Sequence, residues 1–311
     1  MSIGQLSANL RSTLPAMSAP LGIFLQTPTV DELIVQSKAA VARGIGSIWT
    51  PQIFGLDAIT ALAIVGSAVP DVRLGTAVVP TYPRHPMMLA AQARTTNQIV
   101  DGRFTLGIGL SHQIVIEHML GMSFDKPVRH LREYLDVLLP LVRGEAADAT
   151  GDTLSFHGAL EVETDPVPVL VAALGTQMLT MAGPRTEGTV TWMTGPTTIR
   201  DHIVPTISTA ASEAGRPAPR VVAALPTCVT DDVDEARSKA GSMFEMYGFL
   251  PSYRAMLDRE GAAGPADVAL VGSEDEVRAG IESVLEAGAT EFVVVPYSNR
   301  ERTLDLVQSM L

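Results

Sequence analysis

Eight short, uninterrupted apolar runs punctuate this chain, at residues 21–25, 47–49, 72–79, 104–108, 167–173, 189–193, 221–229 and 291–295. Continuous Val/Ile/Leu-rich runs are what strands require when both faces of a parallel sheet are covered; a half-exposed strand would alternate instead. Most of the runs are followed by a segment with helical spacing. Thr29 or Asp31 can cap a helix reaching about residue 42, and residues 57–68, 87–100, 199–214 and 274–287 continue the alternation. Eight such units predict a (β/α)8 barrel of the TIM type, with ligands held at the C-terminal ends of its strands. A doubly wound sheet would need fewer strands and would leave the C-terminal third as a separate domain, yet no linker marks such a boundary. The expected organisation is a polar, turn-rich arm at residues 1–20 and one barrel domain over 21–311. Residues 110–166 are too long for a simple connection and predict an insertion after strand four. It should hold a helix at 128–142, with Leu131, Leu135, Leu138 and Val142 on one face, then a Gly/Asp turn and a hairpin over 154–162. Residues 241–266 are Gly- and Met-rich and read as less regular.

A chain of 311 residues with a net charge of −12 has no basic face for nucleic acid or for an anionic membrane. Any anionic ligand must be met locally, by backbone N–H groups or a few arginines. Cys228 is the only cysteine, which excludes an intrachain disulfide and a cysteine-based metal site. Residues 1–20 show no basic segment followed by an apolar one, so a cytoplasmic location is expected. There is no P-loop, no His-Glu-x-x-His and no Gly-x-Ser-x-Gly; His112 and His118 are spaced off a common helical face, so no metal is expected. His130, His157 and His202 read as surface or structural.

The candidates for chemistry follow the runs. Trp49 offers a broad apolar wall and Gln52 an amide after run two. Thr81 and Tyr82, with Arg84 and His85, follow run three in a loop stiffened by Pro80, Pro83 and Pro86. Gly107 and Gly109 at the end of run four permit close backbone approach to a flat ring or a phosphate, and Leu110, Ser111 and His112 come next. A nucleotide fingerprint would want a third glycine where His112 stands. Gly175 and Thr176 open a helix after run five, where free N–H groups favour a phosphate. Each has a plainer alternative as a turn, a cap or a core residue.

Five stretches together resemble a known family: Leu74-Gly-Thr-Ala-Val78, Tyr82-Pro-Arg-His-Pro86, Asp101-Gly-Arg-Phe-Thr-Leu-Gly-Ile-Gly-Leu-Ser-His112, Leu131-Arg-Glu-Tyr-Leu135 and Gly288-Ala-Thr-Glu-Phe292. The chain is similar to the bacterial-luciferase-like oxidoreductases, and within them to the deazaflavin (coenzyme F420)-dependent oxidoreductases of actinobacteria. The resemblance covers roughly residues 20–297. It implies a luciferase-like barrel with an insertion after strand four and a non-proline cis peptide at Ala77–Val78, behind the cofactor ring. It places Trp49, Ala77, Val78, Thr81, Gly109, Leu110, Ser111, Gly175 and Thr176 around the cofactor. It also implies a homodimer. The sugar-phosphate dehydrogenases of the family carry Asp-His after strand two and Glu after strand four; here Thr50-Pro51-Gln52 and His112 stand there instead, against a sugar-phosphate substrate.

The resulting expectation is an oxidoreductase that moves a hydride between coenzyme F420 and a small, fairly apolar molecule. Gln52, Tyr82 and His112 are its candidate catalytic residues, His112 as proton donor or hydrogen-bond partner. Three alternatives stay open: a reduced-FMN monooxygenase of the same fold, a non-catalytic flavin- or deazaflavin-binding protein, and a nicotinamide dehydrogenase.

Overall fold

The computed structural model describes residues 20–311. The expected arm at residues 1–20 therefore lies, except for its last residue, outside the described residues. The chain opens with β1 (Leu21–Phe24), α1 (Val30–Ala42), β2 (Ser47–Thr50), α2 (Ala58–Ala68) and β3 (Arg73–Thr76). A short continuation, β4 (Val79–Pro80), precedes α3 (Pro86–Ile99) and β5 (Phe104–Gly109). The insertion follows, with a π-helical turn (Ile114–Met119), α4 (Pro127–Arg143) and the hairpin β6 (Ala147–Thr150) and β7 (Ser155–Gly158). Then come β8 (Val169–Val171), α5 (Thr176–Arg185), β9 (Gly188–Trp192), α6 (Pro196–Thr198) running through a π turn into α7 (Val204–Glu213), and β10 (Arg220–Val229). The chain ends with α8 (Val233–Met243), α9 (Pro251–Glu260), α10 (Pro265–Val268), β11 (Leu270–Gly272), α11 (Glu274–Glu286), β12 (Glu291–Pro296) and α12 (Arg300–Ser309).

Strands β1, β2, β3, β5, β8, β9, β10 and β12 pair in parallel in that order. Ile23 of β1 then registers with Val294 of β12, which closes the barrel. All eight apolar runs are barrel strands, so the predicted architecture is the observed one. Its side chains alternate as a covered parallel sheet demands. In β12, Phe292 and Val294 face the helical layer, whereas Val293 and Val295 join Trp49, Leu170, Val190 and Val222 inside the barrel.

Three local expectations change. Run 72–79 is not one strand: it breaks at Ala77–Val78, whose peptide is cis. Across the break the Thr76 hydroxyl donates to the Gly107 carbonyl and accepts from the Gly107 N–H, both at 2.8 Å, standing in for the missing ladder. The hairpin lies at 147–158, not 154–162, because the Gly/Asp turn is its tip: Thr150 pairs with Ser155 around Gly151 and Asp152. Residues 241–266 are more ordered than their composition implies. Pro251 opens α9, Gly261 ends it with φ +76°, and β11 adds in parallel to the far end of β10.

Candidate active site

The bulge after β3 and the C-terminal ends of β1, β9, β10 and β12 enclose a cavity of about 410 Å³. This is the end of the barrel where the fold places function. Its floor is apolar, formed by Ala77, Val78, Val190, Ala224 and Val295. Its walls are aromatic: Phe24, Trp192, Phe244, Tyr247 and Tyr297. The end of α8 and the turn after it bring Met243, Phe244 and Tyr247 across the mouth. Gln26, Gln36, Thr191 and Arg300 supply polar atoms.

One buried donor stands out: the indole N–H of Trp192, on the inward face of β9 with Val190, has no hydrogen-bond partner. The unpartnered hydroxyl of Thr191 lies on the opposite, helical face of that strand. The Tyr247 hydroxyl is close enough to feel that indole without reaching bonding geometry. Burial raises the Tyr247 pKa, so the group stays a neutral phenol. Buried, unsatisfied donors in an apolar wall are uncommon in folded proteins and call for a partner.

Among the sequence candidates, Ala77 and Val78 line the cavity. Trp49 does not. It is 2% exposed and lies below the floor, its indole N–H donating to Glu291 at 2.8 Å and to Ser47 at 3.1 Å. Its broad ring is a plug that supports the cavity, and Gly75 is small because the ring lies against it. Gln52 is also turned away from the cavity: its side-chain carbonyl accepts the Ala58 N–H at 2.7 Å and fixes the start of α2. Gly107 and Gly109 leave room for protein rather than for a ligand. A Cβ on Gly107 would run into the Thr76 carbonyl, and one on Gly109 would meet Val78 Cγ2 at 2.7 Å. These glycines let β5 lie against the bulge that forms the shelf.

Thr81 and Tyr82 belong to a second cluster. The Thr81 hydroxyl meets His130 Nε2 at 3.0 Å, and the Thr81 N–H donates to the Gly109 carbonyl at 2.9 Å. Tyr82 stacks on His130 with ring centroids 3.9 Å apart and on Phe124 at 5.1 Å. Burial, with the nearby charges of Asp125 and Glu117, pushes the Tyr82 phenol up to about 12, and its hydroxyl has no partner. Burial lowers the His130 imidazole to about 4 against a smaller opposing pull from Glu133.

His112 sits beyond β5, next to Leu110 and to Ser111, which takes φ +60°. Burial lowers its pKa, so it is a neutral imidazole at pH 7. A row of rings joins it to the cavity: His112 to Tyr253 at 5.6 Å, Tyr253 to Tyr247 at 5.0 Å and Tyr247 to Trp192 at 5.8 Å. Gly175 caps α5 with nothing within 4 Å of where its Cβ would be, and Thr176 beside it is exposed. That helix end is open to a ligand.

The residues missed from sequence are Trp192, Tyr297 and Arg300, together with Gln26, Gln36, Phe244 and Tyr247. The strand-end rule that selected Trp49 applies equally to Trp192, Tyr297 and Arg300, which close or follow runs six and eight. Phe244 and Tyr247 carry no such mark, because they approach the mouth from a turn after α8.

Residues 14–291 match the luciferase-like monooxygenase family. The 5,10-methylenetetrahydromethanopterin reductase of Methanolobus tindarius is 26% identical over 318 aligned positions, covering 91% of this chain and 96% of that protein. Among solved structures, an F420-dependent secondary alcohol dehydrogenase in complex with an F420–acetone adduct has a TM-score of 0.78 at 19% identity, covering 95% of this chain and 98% of that one. The oxygenating constituent of 3,6-diketocamphane monooxygenase from Pseudomonas putida, a type II Baeyer–Villiger monooxygenase in complex with FMN, has a TM-score of 0.73 at 18% identity, covering 94% and 97%. The two structural likenesses show a shared fold.

Proposed function

The chain belongs to the luciferase-like monooxygenase family, and from that membership we propose that it is an oxidoreductase moving a hydride between coenzyme F420 and a small organic substrate. The observation that carries this reading is the unpartnered indole N–H of Trp192 in the wall of an otherwise apolar cavity. A planar heteroaromatic ring with a polar edge fits that combination. Its faces need the shelf of Ala77 and Val78, and its edge atoms need donors of this kind. Similarity to a putative coenzyme F420-dependent oxidoreductase of Mycobacterium tuberculosis, 32% identical over 48% of this chain, favours a deazaflavin over a flavin.

When bound, the cofactor supplies or accepts the hydride. The chain's own residues do the rest. Ala77 and Val78 support the ring, while the Trp192 indole N–H hydrogen-bonds its edge. The open N–H groups at Gly175 and Thr176 receive its phosphodiester with the help of the α5 dipole. Leu110 and Ser111 border the ring on the β5 side. The aromatic wall excludes water, which strengthens each polar contact inside. His112 is the proposed hydrogen-bond partner or proton relay, and Tyr82, protonated throughout the physiological range, is a fixed donor. The same reading takes the protein as a cytoplasmic homodimer of the actinobacterial type; the single, unpaired Cys228 supports a reducing compartment.

Fluorescence titration tests the assignment. F420 is expected to bind at micromolar affinity or better, and FMN at least about tenfold more weakly, a difference of about 1.4 kcal/mol. Equal or tighter FMN binding would transfer the proposal to a reduced-FMN monooxygenase. Tight F420 binding with no turnover across a panel of enones and imines would make this a binding protein.

A further inference from the structure

Arg300 is the first residue of α12, directly after β12, and its half-buried side chain lines the cavity beside Tyr297. Among the described residues its guanidinium makes no ion pair and no hydrogen bond. Glu301, the acid whose charge it feels, pairs instead with Arg43, which also takes Asp305 at 3.5 Å. Burial pushes the Arg300 pKa down, against an opposing pull from Glu301 and with a smaller push from Arg43, and the arginine remains charged. This isolation is unusual here, since carboxylates outnumber cations 34 to 22 in the chain and most other arginines are paired or bonded to carbonyls. Taking a guanidinium partly out of water without a partner is costly, and a ligand that supplies the partner recovers that cost.

The surroundings narrow the partner. Gln26 makes no side-chain hydrogen bond among the described residues, and Gln36 uses its amide N–H on Glu32 at 3.0 Å. The Gln26 amide can therefore donate beside the guanidinium. The rest of the cavity is aromatic and apolar. We infer that the β12 end of the cavity is a carboxylate site, in which Arg300, flanked by Gln26, receives the acid group of an otherwise apolar ligand. This rests on the cavity being the substrate site of the proposed oxidoreductase, and it narrows that substrate to a small apolar acid. A guanidinium fork matches a carboxylate in two parallel hydrogen bonds, which would also set the ligand's orientation. The same anionic chemistry exists on the acidic tail of F420, so the source must be separated experimentally.

The test is calorimetry on the cofactor-free protein with cinnamate as probe and cinnamamide as its uncharged match. Replacing Arg300 with Gln is expected to weaken cinnamate binding by about ten- to a hundredfold, the range for a charge-assisted hydrogen bond, and to leave cinnamamide unchanged. Arg300→Lys should recover part of the loss, since it keeps charge without the fork. Equal cinnamate affinity in the native protein and in Arg300→Gln, whose thermal melt serves as folding control, would overturn the inference. So would a native protein that does not prefer cinnamate to cinnamamide. In a parallel F420 titration, unchanged affinity in Arg300→Gln assigns the carboxylate to the substrate. A loss of F420 affinity with unchanged cinnamate binding assigns the residue to the cofactor tail and overturns the substrate claim. Failure of F420 to bind the native protein would sink the cofactor proposal alone, because the cinnamate arm contains no cofactor.

Discussion

At the residue scale, the cluster of Thr81, Tyr82 and His130 shows how burial sets charge. His130 is held neutral because the space between Tyr82 and Tyr134 offers an imidazolium little water, and the opposing pull of Glu133 does not compensate. The consequence for stability has a definite sign. Between about 6.5 and about 4 the unfolded chain binds a proton at this histidine that the folded chain refuses. His130 therefore costs nothing above that window, costs increasingly more as the pH falls through it, and adds no further change below it. Melting temperature is expected to fall from pH 7.5 to pH 5, and His130→Gln should reduce that fall; equal falls in both proteins would refute the assignment. The sequence marked Thr81 and Tyr82 but placed His130 among the structural histidines without linking them. The link is a contact between the loop after β4 and α4, 49 residues apart for Thr81 and His130, and local spacing carries no record of it. Trp49 was misread for a related reason. Its position at the end of a run was legible, but its depth was not: the ring points into the barrel and is held below the cavity by Glu291 across the barrel.

At the scale of elements, the tip of the inserted hairpin of β6 and β7 is held by two side chains of α4, Arg129, which pairs with Asp152, and Glu133. Glu133 accepts the N–H groups of Asp152, Thr153 and Leu154 at 3.1, 2.9 and 3.2 Å. Burial alone would raise its pKa, yet the Thr153 hydroxyl and these amides together hold it at about 2. The carboxylate thus ties the hairpin tip to the helix across the whole physiological range. Glu133→Ala is expected to cost about 1.5–3 kcal/mol, the contribution of hydrogen bonds to a charged acceptor. Amide exchange should accelerate in residues 147–158 and stay unchanged in β5 and β8. A uniform acceleration would mean that the hairpin is not a separate unit. The existence of the insertion was legible from the length of 110–166, and α4 from its apolar spacing. The hairpin boundary was not, because its exposed, polar strands lack an apolar period and the turn at Gly151 and Asp152 resembles any loop.

At the scale of the whole molecule, a charged network closes the barrel floor. Glu291 of β12 is 3% exposed and takes hydrogen bonds from Ser47 and Trp49 of β2. It also meets Arg220 of β10 at 3.3 Å and Arg73 of β3 at 3.7 Å. The last strand is thereby tied to elements from the beginning and the late middle of the chain. Removing Arg220, whose side chain is 32% exposed, leaves Glu291 with Ser47, Trp49 and Arg73, so Arg220→Leu is expected to cost about 1–2 kcal/mol, read as a lower urea midpoint with an unchanged slope. A cost below about 0.5 kcal/mol would show that Arg73 alone satisfies Glu291. The architecture itself was in the sequence. Eight β-branched runs with helices between them can bury both faces only in a covered parallel sheet, and eight strands with no linker close on themselves. What the tertiary structure alone decided is which side chains meet in the cavity. Trp192, Tyr297 and Arg300 line it where Trp49 and Gln52 do not, because Glu291 of the last barrel strand holds the Trp49 ring below the cavity and because β12 returns to β1. Those relations join residues hundreds of positions apart, and no local pattern encodes them.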